Sequence, residues 1–261
     1  MKSNTPKVLH RVAGKPMVFY PVNLLGAMKA GKIVVVVGHG SEEVKTALQS
    51  GKVTFTTQAE QLGTGHAVLC AMKELKSFKG DVLILSGDVP LIRKETVLGL
   101  LQLHKKKESR KPVISLVTTV LDNPNGYGRV MRDEHRSVVR IIEDKDCSPL
   151  QKKIKEVNTG IYLVSSGFLL ANIKKIGKNN AQGEYYLPDL IHLAASRGER
   201  VSALTHLDPD EVMGINNRVD LARANAFMRA RVHEELMLSG VTMEDPDATY
   251  MDYGAKVGRD T

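Results

Sequence analysis

The segment Asp81-Val-Leu-Ile-Leu-Ser-Gly-Asp-Val-Pro-Leu-Ile92 gives the strongest indication of the architecture of this chain. Its short apolar run, Val82–Leu85, is typical of a central strand that is buried on both faces of a sheet. The run ends at Ser86-Gly87, and a lone carboxylate, Asp88, follows. Ligands of open α/β sheets bind beyond the carboxyl ends of the strands, where an acid can hold a divalent cation against phosphate oxygens. Asp88 is therefore either a metal ligand or a residue that closes a turn before the next helix.

Strands and helices alternate on both sides of this stretch, which predicts a parallel sheet with right-handed crossovers. Before Lys111 we expect strands at Ile33–Val37, Val53–Thr57 and Val82–Leu85, and helices at Met17–Lys29, Ala67–Leu75 and Lys94–Lys107, with a short helix capped by Ser41. Beyond Lys111 the pattern becomes mixed, with strands expected at Val113–Val120, Val138–Glu143, Val157–Val164 and Val201–Thr205. The later helices are expected at Phe168–Ile176, Leu187–Arg197 and Asn217–Ser239.

Composition and charge narrow the classes of partner. The chain has 261 residues, of which 42% are hydrophobic and 25% charged, an ordinary profile for one large soluble domain. The net charge of +8 favours anionic ligands, and polyphosphate, nucleic acid and acidic membranes all fit that sign. Aromatic residues make up 5% of the chain and tryptophan is absent, which argues against a stacking platform for nucleic acid. We therefore expect no nucleic-acid partner.

Cysteine usage and apolar segments indicate the compartment. Cys70 and Cys147 lie far apart and have no zinc-ligand spacing, so neither a disulfide framework nor structural zinc is expected. No apolar segment reaches the length of a membrane span, and the first residues lack the apolar region of a signal peptide. We expect a cytoplasmic protein with no membrane partner.

Three stretches could hold a nucleotide. Gln58 offers a donor and an acceptor to the edge of a nucleobase. Gly63-Thr64-Gly65 lets the backbone approach a flat ring or a phosphate, although a Gly-x-Gly turn is also common without any ligand. Lys7 could carry charge to a phosphate, but a lone lysine near the start of a chain is usually a surface residue.

Four further positions could hold a sugar or a metal. Gly128 lies in Tyr127-Gly128-Arg129, which offers a backbone amide and a cation or is simply a hairpin corner. Glu143 ends a predicted strand and is either a ligand of sugar hydroxyls or an exposed charge. Asn158 interrupts an apolar run, although asparagine is depleted in strands. Asn216 precedes a long helix, where it caps the helix or supplies an oxygen to a hard cation.

Taken in order, these stretches resemble a known family. The motifs that carry the resemblance are Pro6–His10, Gln58–Ala67, Gly87–Leu91, Gly126–Arg129, Asn158–Ile161, Asn180–Tyr186 and Gly214–Arg218. They are similar to the uridylyltransferase half of the bacterial bifunctional enzymes UDP-N-acetylglucosamine pyrophosphorylase / glucosamine-1-phosphate N-acetyltransferase. The resemblance covers nearly the whole chain, and several long motifs in a fixed order are far more specific than any one of them.

The resemblance implies an α/β fold, a Rossmann-like nucleotide-diphospho-sugar transferase domain with a mixed, mainly parallel sheet. It implies transfer of a uridylyl group from UTP to N-acetylglucosamine 1-phosphate with Mg²⁺, giving pyrophosphate and UDP-N-acetylglucosamine for cell-wall and lipopolysaccharide precursors. By motif position, the implied ligands are Asp88 and Asn216 for the metal, Gln58, Gly63 and Thr64 for uridine, and Gly128, Glu143 and Asn158 for N-acetylglucosamine. Lys7 would contact phosphate, and Lys7 and Asp88 would be the catalytic residues.

The resemblance also implies a division into a nucleotidyltransferase domain at 1–216, a linker helix at 217–240 and the first coil of a left-handed β-helix at 241–261. The family begins with a strand and a glycine-rich loop, and this chain starts at the last methionine of that motif. We therefore expect a sheet without one central strand, and a collapse of nucleotide affinity and turnover. The family's acetyltransferase site and trimer surface lie in the β-helix, so we expect a homotrimer for the longer parent and a monomer for this chain.

Other functions remain open alternatives. One is a different sugar-1-phosphate nucleotidyltransferase, with another base or sugar. Another is a non-catalytic domain that binds a sugar nucleotide. A basic nucleic-acid binder is a third, and it rests on the net charge alone.

Overall fold

The computed structural model describes residues 1–49, 52–106 and 110–261. Its helices are α1 (Phe19–Ala27), α2 (Ser41–Ala47), α3 (Thr64–Leu75), α4 (Lys94–Lys105), α5 (Ser166–Asn172), α6 (Asp189–Ala195), α7 (Pro209–Val212) and α8 (Arg218–Leu238). Its strands are β1 (Arg11–Val12), β2 (Lys15–Pro16), β3 (Val34–Val37), β4 (Thr54–Thr57), β5 (Asp81–Ile84), β6 (Ile114–Val120), β7 (Arg129–Arg132), β8 (Val138–Ile142), β9 (Glu156–Ser165) and β10 (Val201–His206).

Most predicted elements are confirmed to within a few residues. The predicted end of the fourth helix at Lys107 lies outside the described residues. Ser41 is the first residue of α2 and makes no capping bond, because Gly40 occupies the cap position. Strands β1, β2 and β7 and helix α7 have no counterpart in the sequence-based prediction. Strands β1 and β2 and helix α7 are too short to show a hydrophobic period, and β7 has an arginine at each end of Arg129–Arg132 instead of an apolar run.

The central sheet contains six strands in the described part of the chain. Its order is β10-β6-β9-β7-β8, and β5 also pairs with β9. Its apolar side chains pack against α5 and α6, with Ile114, Leu116 and Val164 of the sheet meeting Leu169 and Leu190 of the helices. Burying these side chains is the main source of stability for such a layer.

The sheet is mixed, as predicted, but most of its pairs are antiparallel. Within it, β6 and β10 run parallel, whereas β9 runs antiparallel to β5, β6 and β7. The strand–helix alternation that favours parallel pairing continues through α4 to β6, and β5 and β6 point the same way because both run antiparallel to β9. The long strand β9 then returns between β5 and β6 and reverses the direction.

Strand β5 differs from the doubly buried central strand that its sequence predicts. All of its residues are half-buried. It pairs with β9, while β3 and β4 form a separate parallel pair whose β3 residues Val34, Val35 and Val36 are also half-buried. In the described residues, one edge of β5 therefore lacks a strand neighbour, which explains the incomplete burial.

Strand β9 contains a bulge at Asn158-Thr159-Gly160. Opposite it on β6, the register passes from Leu116, which faces Tyr162, to Thr118, which faces Asn158. Gly160 has φ +79°, a left-handed conformation that glycine adopts without steric cost. Bulges redirect side chains and are common beside active sites. The bulge explains how an apolar strand accommodates an asparagine.

Helix α8 packs back on the start of the chain. Its residues Ala224 and Met228 join a buried cluster with Met17 and Tyr20. Residues 241–261 carry no strand or helix, and Tyr253 contacts the Tyr20 ring at a centroid distance of 5.2 Å. The domain boundaries at 216 and 240, and the start of a β-helix, stay predictions. Among the described residues, no helix combines the length and apolar character needed to cross a membrane.

Candidate functional site

One ammonium group joins the two residues predicted to bind metal. Lys7 Nζ lies 2.5 Å from Asp88 Oδ2 and donates a hydrogen bond to Asn216 Oδ1 at 2.7 Å. Asp88 and Asn216 are far apart in the chain, yet their oxygens lie in contact range of a single cation. The predicted proximity of Asp88 and Asn216 is therefore present in the structure, and Lys7 lies between them.

Local hydrogen bonds hold the segment that carries Asn216 against Asp88. The backbone N–H of Ile215 donates to the Asp88 carbonyl at 3.0 Å. A Cβ at Gly214 would lie 3.3 Å from Asp88 Oδ1, so the segment passes close to the carboxylate. The backbone N–H of Asn216 donates to Asp220 Oδ2 at 2.9 Å, and the same carboxylate oxygen accepts from the Asn217 N–H in the capping box that starts α8. The helix start thus fixes Asn216 beside the end of β5.

The donor set of Asp88 and Asn216 fits magnesium. Mg²⁺ prefers oxygen ligands at about 2.1 Å and usually takes one or two protein carboxylates, with phosphates and water in its other positions. Across residues 1–49, 52–106 and 110–261, no group of three or more His, Cys, Asp or Glu side chains could hold a metal. A carboxylate with one amide oxygen therefore suits an ion that arrives with a phosphate-bearing ligand.

The residues predicted to hold the sugar also lie together. A Cβ at Gly128 would lie 2.9 Å from Ile141 Cγ2 and 3.3 Å from Glu143 Oε2, which leaves little room for any side chain there. The backbone N–H of Asn158 donates to the Gly128 carbonyl at 2.9 Å. Strands β7, β8 and β9 thus bring together the backbone of Gly128, the carboxyl group of Glu143 and the side-chain amide of Asn158.

The Asn158 side chain is fixed through its oxygen. Oδ1 accepts hydrogen bonds from the Gly160 N–H at 3.0 Å and from the Tyr162 hydroxyl at 2.8 Å. Tyr162 is 3% exposed, so its hydroxyl is a buried anchor. Because the oxygen faces two donors, the Asn158 Nδ2 group is left to donate to a ligand.

Burial raises the pKa of the Glu143 carboxyl to about 7, and the charges of Asp146, Asp189, Glu184 and Asp144 act in the same direction. The uncharged form is favoured because a carboxylate in this position would be poorly solvated and repelled by its neighbours. A carboxyl that retains its proton near neutral pH can both donate to and accept from a sugar hydroxyl.

The residues predicted to hold uridine form a third group. Gln58 directly follows β4, and its Nε2 donates to the Gly63 carbonyl at 3.1 Å. Gly63 has φ +96°, and a Cβ there would lie 2.7 Å from the Tyr185 carbonyl, so glycine is required. Thr64 opens α3, and its Oγ1 accepts from the Leu187 N–H at 3.1 Å. The segment is thereby fastened to the residues before α6.

Tyr127 connects the metal pair with the sugar group. It is adjacent to Gly128, and its phenol lies beside the side chain of Asn216 and near the charge of Asp88. Burial is the main cause that raises the pKa of the Tyr127 phenol. A Cβ at Gly160 would lie 3.4 Å from Ser86 Oγ, which brings the bulge of β9 to the segment before Asp88.

Glu184 connects the sugar group with the uridine group. A Cβ at Gly63 would lie 2.9 Å from Glu184 Cβ. The Glu184 carboxylate also contributes to the raised pKa of Glu143. Glu184 therefore lies between the sugar group and the uridine group.

Arg129 is a buried clamp, and its interpretation as a cation that faces the ligand is wrong. Its side chain is 0% exposed. Nη2 lies 3.0 Å from Asp144 Oδ1, and Nη1 donates to the Tyr127 carbonyl. The guanidinium thus joins the start of β7 to the end of β8 and holds Gly128 beside Glu143.

Tyr162 and Glu184 are absent from the sequence-based site. Tyr162 lies four residues after Asn158 in a strand, an even spacing that places both on one face when the strand is regular. Glu184 lies inside Asn180–Tyr186, one of the motifs that carries the family resemblance. Both signals were present in the sequence, but neither by itself points to a ligand.

Comparisons with known proteins confirm the predicted resemblance. The chain is 46% identical over 262 residues to the Bifunctional protein GlmU of Pelobacter propionicus and 48% identical over 262 residues to that of Geobacter sulfurreducens. Both alignments cover 100% of this chain, but 56% and 54% of those proteins. The chain therefore spans about half the length of the curated relatives it matches.

The fold also has a counterpart among solved structures. A Bacillus anthracis protein, named as a candidate glucose-1-phosphate thymidylyltransferase and solved in complex with sucrose, matches with a TM-score of 0.64. The match covers 93% of this chain and 90% of that one at 20% identity, so it supports the fold alone. The Nucleotidyl transferase family matches residues 2–228, a range that includes Lys7, Asp88 and Asn216. The chain belongs to the nucleotidyl transferase family.

Proposed function

We propose that this chain is the nucleotidyltransferase domain of a protein that transfers the uridylyl group of UTP to N-acetylglucosamine 1-phosphate, which yields UDP-N-acetylglucosamine and pyrophosphate for cell-wall precursors. The observation that carries the proposal is the position of Asp88 and Asn216 on either side of the Lys7 ammonium group, in a nucleotidyl transferase. The ordered motifs and the similarity to relatives named Bifunctional protein GlmU support the choice of substrates.

In this proposal, Asp88 and Asn216 hold Mg²⁺, which when bound screens the negative charge of phosphate oxygens. Lys7 lies between the same two side chains and carries one positive charge to that place. When the ion is held there, the flexible Lys7 side chain is free to reach a neighbouring phosphate. The oxygen donors of Asp88 and Asn216 support this arrangement, because Mg²⁺ prefers oxygen ligands.

The chemical step is a displacement at phosphorus. A phosphate oxygen of the sugar phosphate attacks the α-phosphorus of UTP, and the bond from that phosphorus to the bridging oxygen of the β-phosphate breaks. Pyrophosphate leaves with the electron pair of the broken bond. No covalent bond to the protein is needed, so the residues act by positioning the substrates and neutralising charge.

The sugar group supplies contacts of the right type for N-acetylglucosamine. Asn158 Nδ2 is a donor that suits a carbonyl oxygen, such as that of the acetamido group. Glu143, with its pKa raised to about 7 by burial, suits a hydroxyl that both donates and accepts. The absence of a side chain at Gly128 lets the ring approach the backbone closely.

Two measurements test the proposal. Calorimetry compares binding of UDP-N-acetylglucosamine, UDP-glucose and ADP-glucose to the chain in the presence of Mg²⁺. A pyrophosphate-release assay compares UTP with N-acetylglucosamine 1-phosphate against dTTP with glucose 1-phosphate. We expect UDP-N-acetylglucosamine to bind most tightly, and the UTP pair to be preferred in the release assay.

The same measurements separate the alternatives. A preference for dTTP and glucose 1-phosphate would make the chain a different sugar-1-phosphate nucleotidyltransferase. Binding of UDP-N-acetylglucosamine without any pyrophosphate release would identify a domain that binds but does not turn over. Failure to bind any of the three sugar nucleotides would overturn the proposal.

A further inference from the structure

We propose that Glu211 is a positioning residue that ties together the two segments carrying Asp88 and Asn216, so that oxygens from both side chains reach one Mg²⁺ at the same time. The inference rests on the proposed function, because it uses the metal pair named there, and it adds a residue that lies outside the predicted site. Glu211 lies in α7, the short helix on the way from β10 to Asn216.

The Glu211 carboxylate is buried and faces several donors. The residue is 4% exposed. Its Oε1 accepts a hydrogen bond from the Arg93 backbone N–H at 3.1 Å and another from the Thr96 hydroxyl. Its Oε2 lies 3.6 Å from Arg93 Nε and 3.5 Å from His206 Nε2. Because a buried carboxylate is costly unless such partners compensate it, these contacts fix the place of Glu211.

These contacts join the two segments that carry the metal pair. Arg93 follows Asp88 by five residues, and Glu211 precedes Asn216 by five residues. The bond between Arg93 and Glu211 therefore links the chain after β5 to the chain before α8. A second link is the bond from the Ile215 N–H to the Asp88 carbonyl at 3.0 Å. Two links at separate points prevent one segment from pivoting on the other.

Apolar packing holds α7 in place but does not set its orientation. Val212 is 0% exposed and belongs to a buried cluster with Val89 and Leu100. Arg231 of α8 also donates from Nη1 to the Leu91 carbonyl at 2.6 Å. Burial of apolar surface has no preferred direction, whereas a hydrogen bond weakens steeply with its angle. Loss of the Glu211 charge should therefore shift α7 without unfolding the protein.

A magnesium site is sensitive to a shift of this kind. Mg²⁺ requires nearly ideal octahedral geometry with oxygens at about 2.1 Å, and ligand groups need to be held to within about 0.5 Å. Since Asp88 and Asn216 belong to different segments, a small displacement of one segment separates their oxygens. The residues proposed to hold uridine and sugar lie on other elements. The dependence of binding on Mg²⁺ is therefore the property that Glu211 should control.

Two matched variants test this role. Glu211→Gln keeps the size of the side chain, but whichever way its amide turns, its NH₂ group faces a donor of Arg93, either the backbone N–H or the guanidinium. The control is Glu156→Gln at the start of β9. Glu156 has partners of the same types, because it accepts from the Thr118 hydroxyl at 2.7 Å and from Arg132 Nε at 2.8 Å.

Calorimetry measures the affinity for UDP-N-acetylglucosamine with and without Mg²⁺. We expect Mg²⁺ to tighten binding by the same factor in wild type and Glu156→Gln, and by a factor about three- to tenfold smaller in Glu211→Gln, the effect of one net hydrogen bond. The affinity of Glu211→Gln without Mg²⁺ should equal that of wild type. Thr96→Val, which removes one donor to Glu211, should also lower the factor, and Thr96→Ser, which keeps the hydroxyl, should not.

The outcomes separate this inference from the proposed function. An unchanged factor in Glu211→Gln, with or without a general loss of affinity, would overturn the inference and leave the proposed function in place. An equal reduction in Glu156→Gln would do the same. Wild type that binds UDP-N-acetylglucosamine neither with nor without Mg²⁺ would overturn both. If Glu211→Gln does not fold, as judged by thermal unfolding, the comparison of Thr96→Val with Thr96→Ser decides, and equal factors in these two would overturn the inference.

Discussion

Lys7 Nζ lies 2.5 Å from Asp88 Oδ2, at the place where a metal ion would contact that carboxylate. The Lys7 side chain is 37% exposed and that of Asp88 is 18% exposed, so solvent reaches the pair and burial does not lock it. Because the ammonium also bonds Asn216, it shares both of its oxygen partners with the proposed ion. If Asp88 and Asn216 hold Mg²⁺ as we propose, the lysine and the ion compete for the same position when no nucleotide is bound.

Replacing Lys7 should affect magnesium and nucleotide in opposite directions. In Lys7→Met, we expect Mg²⁺ affinity without nucleotide to rise about fivefold. The reason is that the lysine charge no longer repels the ion, and two unit charges about 4 Å apart in water interact by about 1 kcal/mol. We expect affinity for UDP-N-acetylglucosamine with Mg²⁺ to fall, since a phosphate contact is lost. Calorimetry measures both affinities.

The control is Lys155→Met, which removes an exposed lysine paired with Asp122 and should change neither affinity. If Lys7→Met had the same two affinities as wild type, the proposed competition between Lys7 and Mg²⁺ would be refuted.

The sheet shows what a local pattern can and cannot predict. The apolar runs of β3, β5 and β9 can be predicted as strands, because their length and their content of β-branched residues are local properties of the sequence. Their direction and neighbours depend on contacts distant in sequence, which is why the antiparallel return of β9 against β5 is missing from the prediction. The seven-residue motif Asn180–Tyr186 shows no period, and its role in fastening Gly63 emerges only from the folded chain.

Tyr162 should act on sugar binding through Asn158. In Tyr162→Phe, the Asn158 amide loses one of the two bonds that orient it. We expect affinity for UDP-N-acetylglucosamine to fall about three- to tenfold, the net effect of one hydrogen bond, while affinity for UMP stays unchanged. Calorimetry with both ligands measures this. The matched control is Tyr20→Phe, which removes another buried hydroxyl bond, to the Val12 carbonyl, and should change neither affinity. Equal weakening of both ligands by Tyr162→Phe would contradict the assignment.

Glu143 should make stability depend on pH. The folded protein keeps a proton on Glu143 up to about pH 7, whereas the carboxyl loses it near its ordinary pKa of 4.5 in the unfolded chain. The folded state therefore binds more protons between these values, so this group lowers stability as the pH rises from about 4.5 to about 7. Glu143→Gln removes the effect, and we expect its gain in Tm over wild type to be larger at pH 8 than at pH 5.

The control for this comparison is Glu134→Gln, which alters an exposed acid in the turn between β7 and β8. Its Tm difference from wild type should be the same at both pH values. If Glu143→Gln also showed a constant difference, the buried carboxyl would not be the group that holds the proton.

Arg129 should matter for stability rather than for ligand contact. Arg129→Met leaves the Asp144 carboxylate and the Tyr127 carbonyl without their buried partner. We expect a loss of about 3 kcal/mol in the free energy of unfolding, the lower end of the range for breaking a buried ion pair, because Asp144 is partly exposed. Urea denaturation measures it. The control is Arg140→Met, on the exposed face of neighbouring β8, whose free energy of unfolding should stay within about 0.5 kcal/mol of wild type. A similar loss of stability in both variants would contradict the structural role of Arg129.

As with the fold, the site contains residues that a local sequence signal can predict and residues that only the folded structure reveals. Asp88 can be proposed from sequence because a lone acid at the end of an apolar run is a local signal, and the family motifs add Asn216 and Asn158. The residues that orient them follow from packing. Glu211 bonds the segment that follows Asp88, and Tyr162 reaches Asn158 because Gly160 opens a bulge. Arg129 is ambiguous in sequence, since a charged residue after a turn is usually exposed.

The central claim is that Asp88 and Asn216 hold one Mg²⁺ against the phosphates of the nucleotide. The most direct measurement is the calorimetric affinity for UDP-N-acetylglucosamine with and without Mg²⁺, in wild type and Asp88→Asn, with the exposed Asp122→Asn as control. We expect Mg²⁺ to tighten binding by about tenfold or more in wild type and in the control, as for a hydrogen bond to a charged group, and not to tighten it in Asp88→Asn. An Asp88→Asn variant with the full magnesium dependence of wild type would contradict the claim.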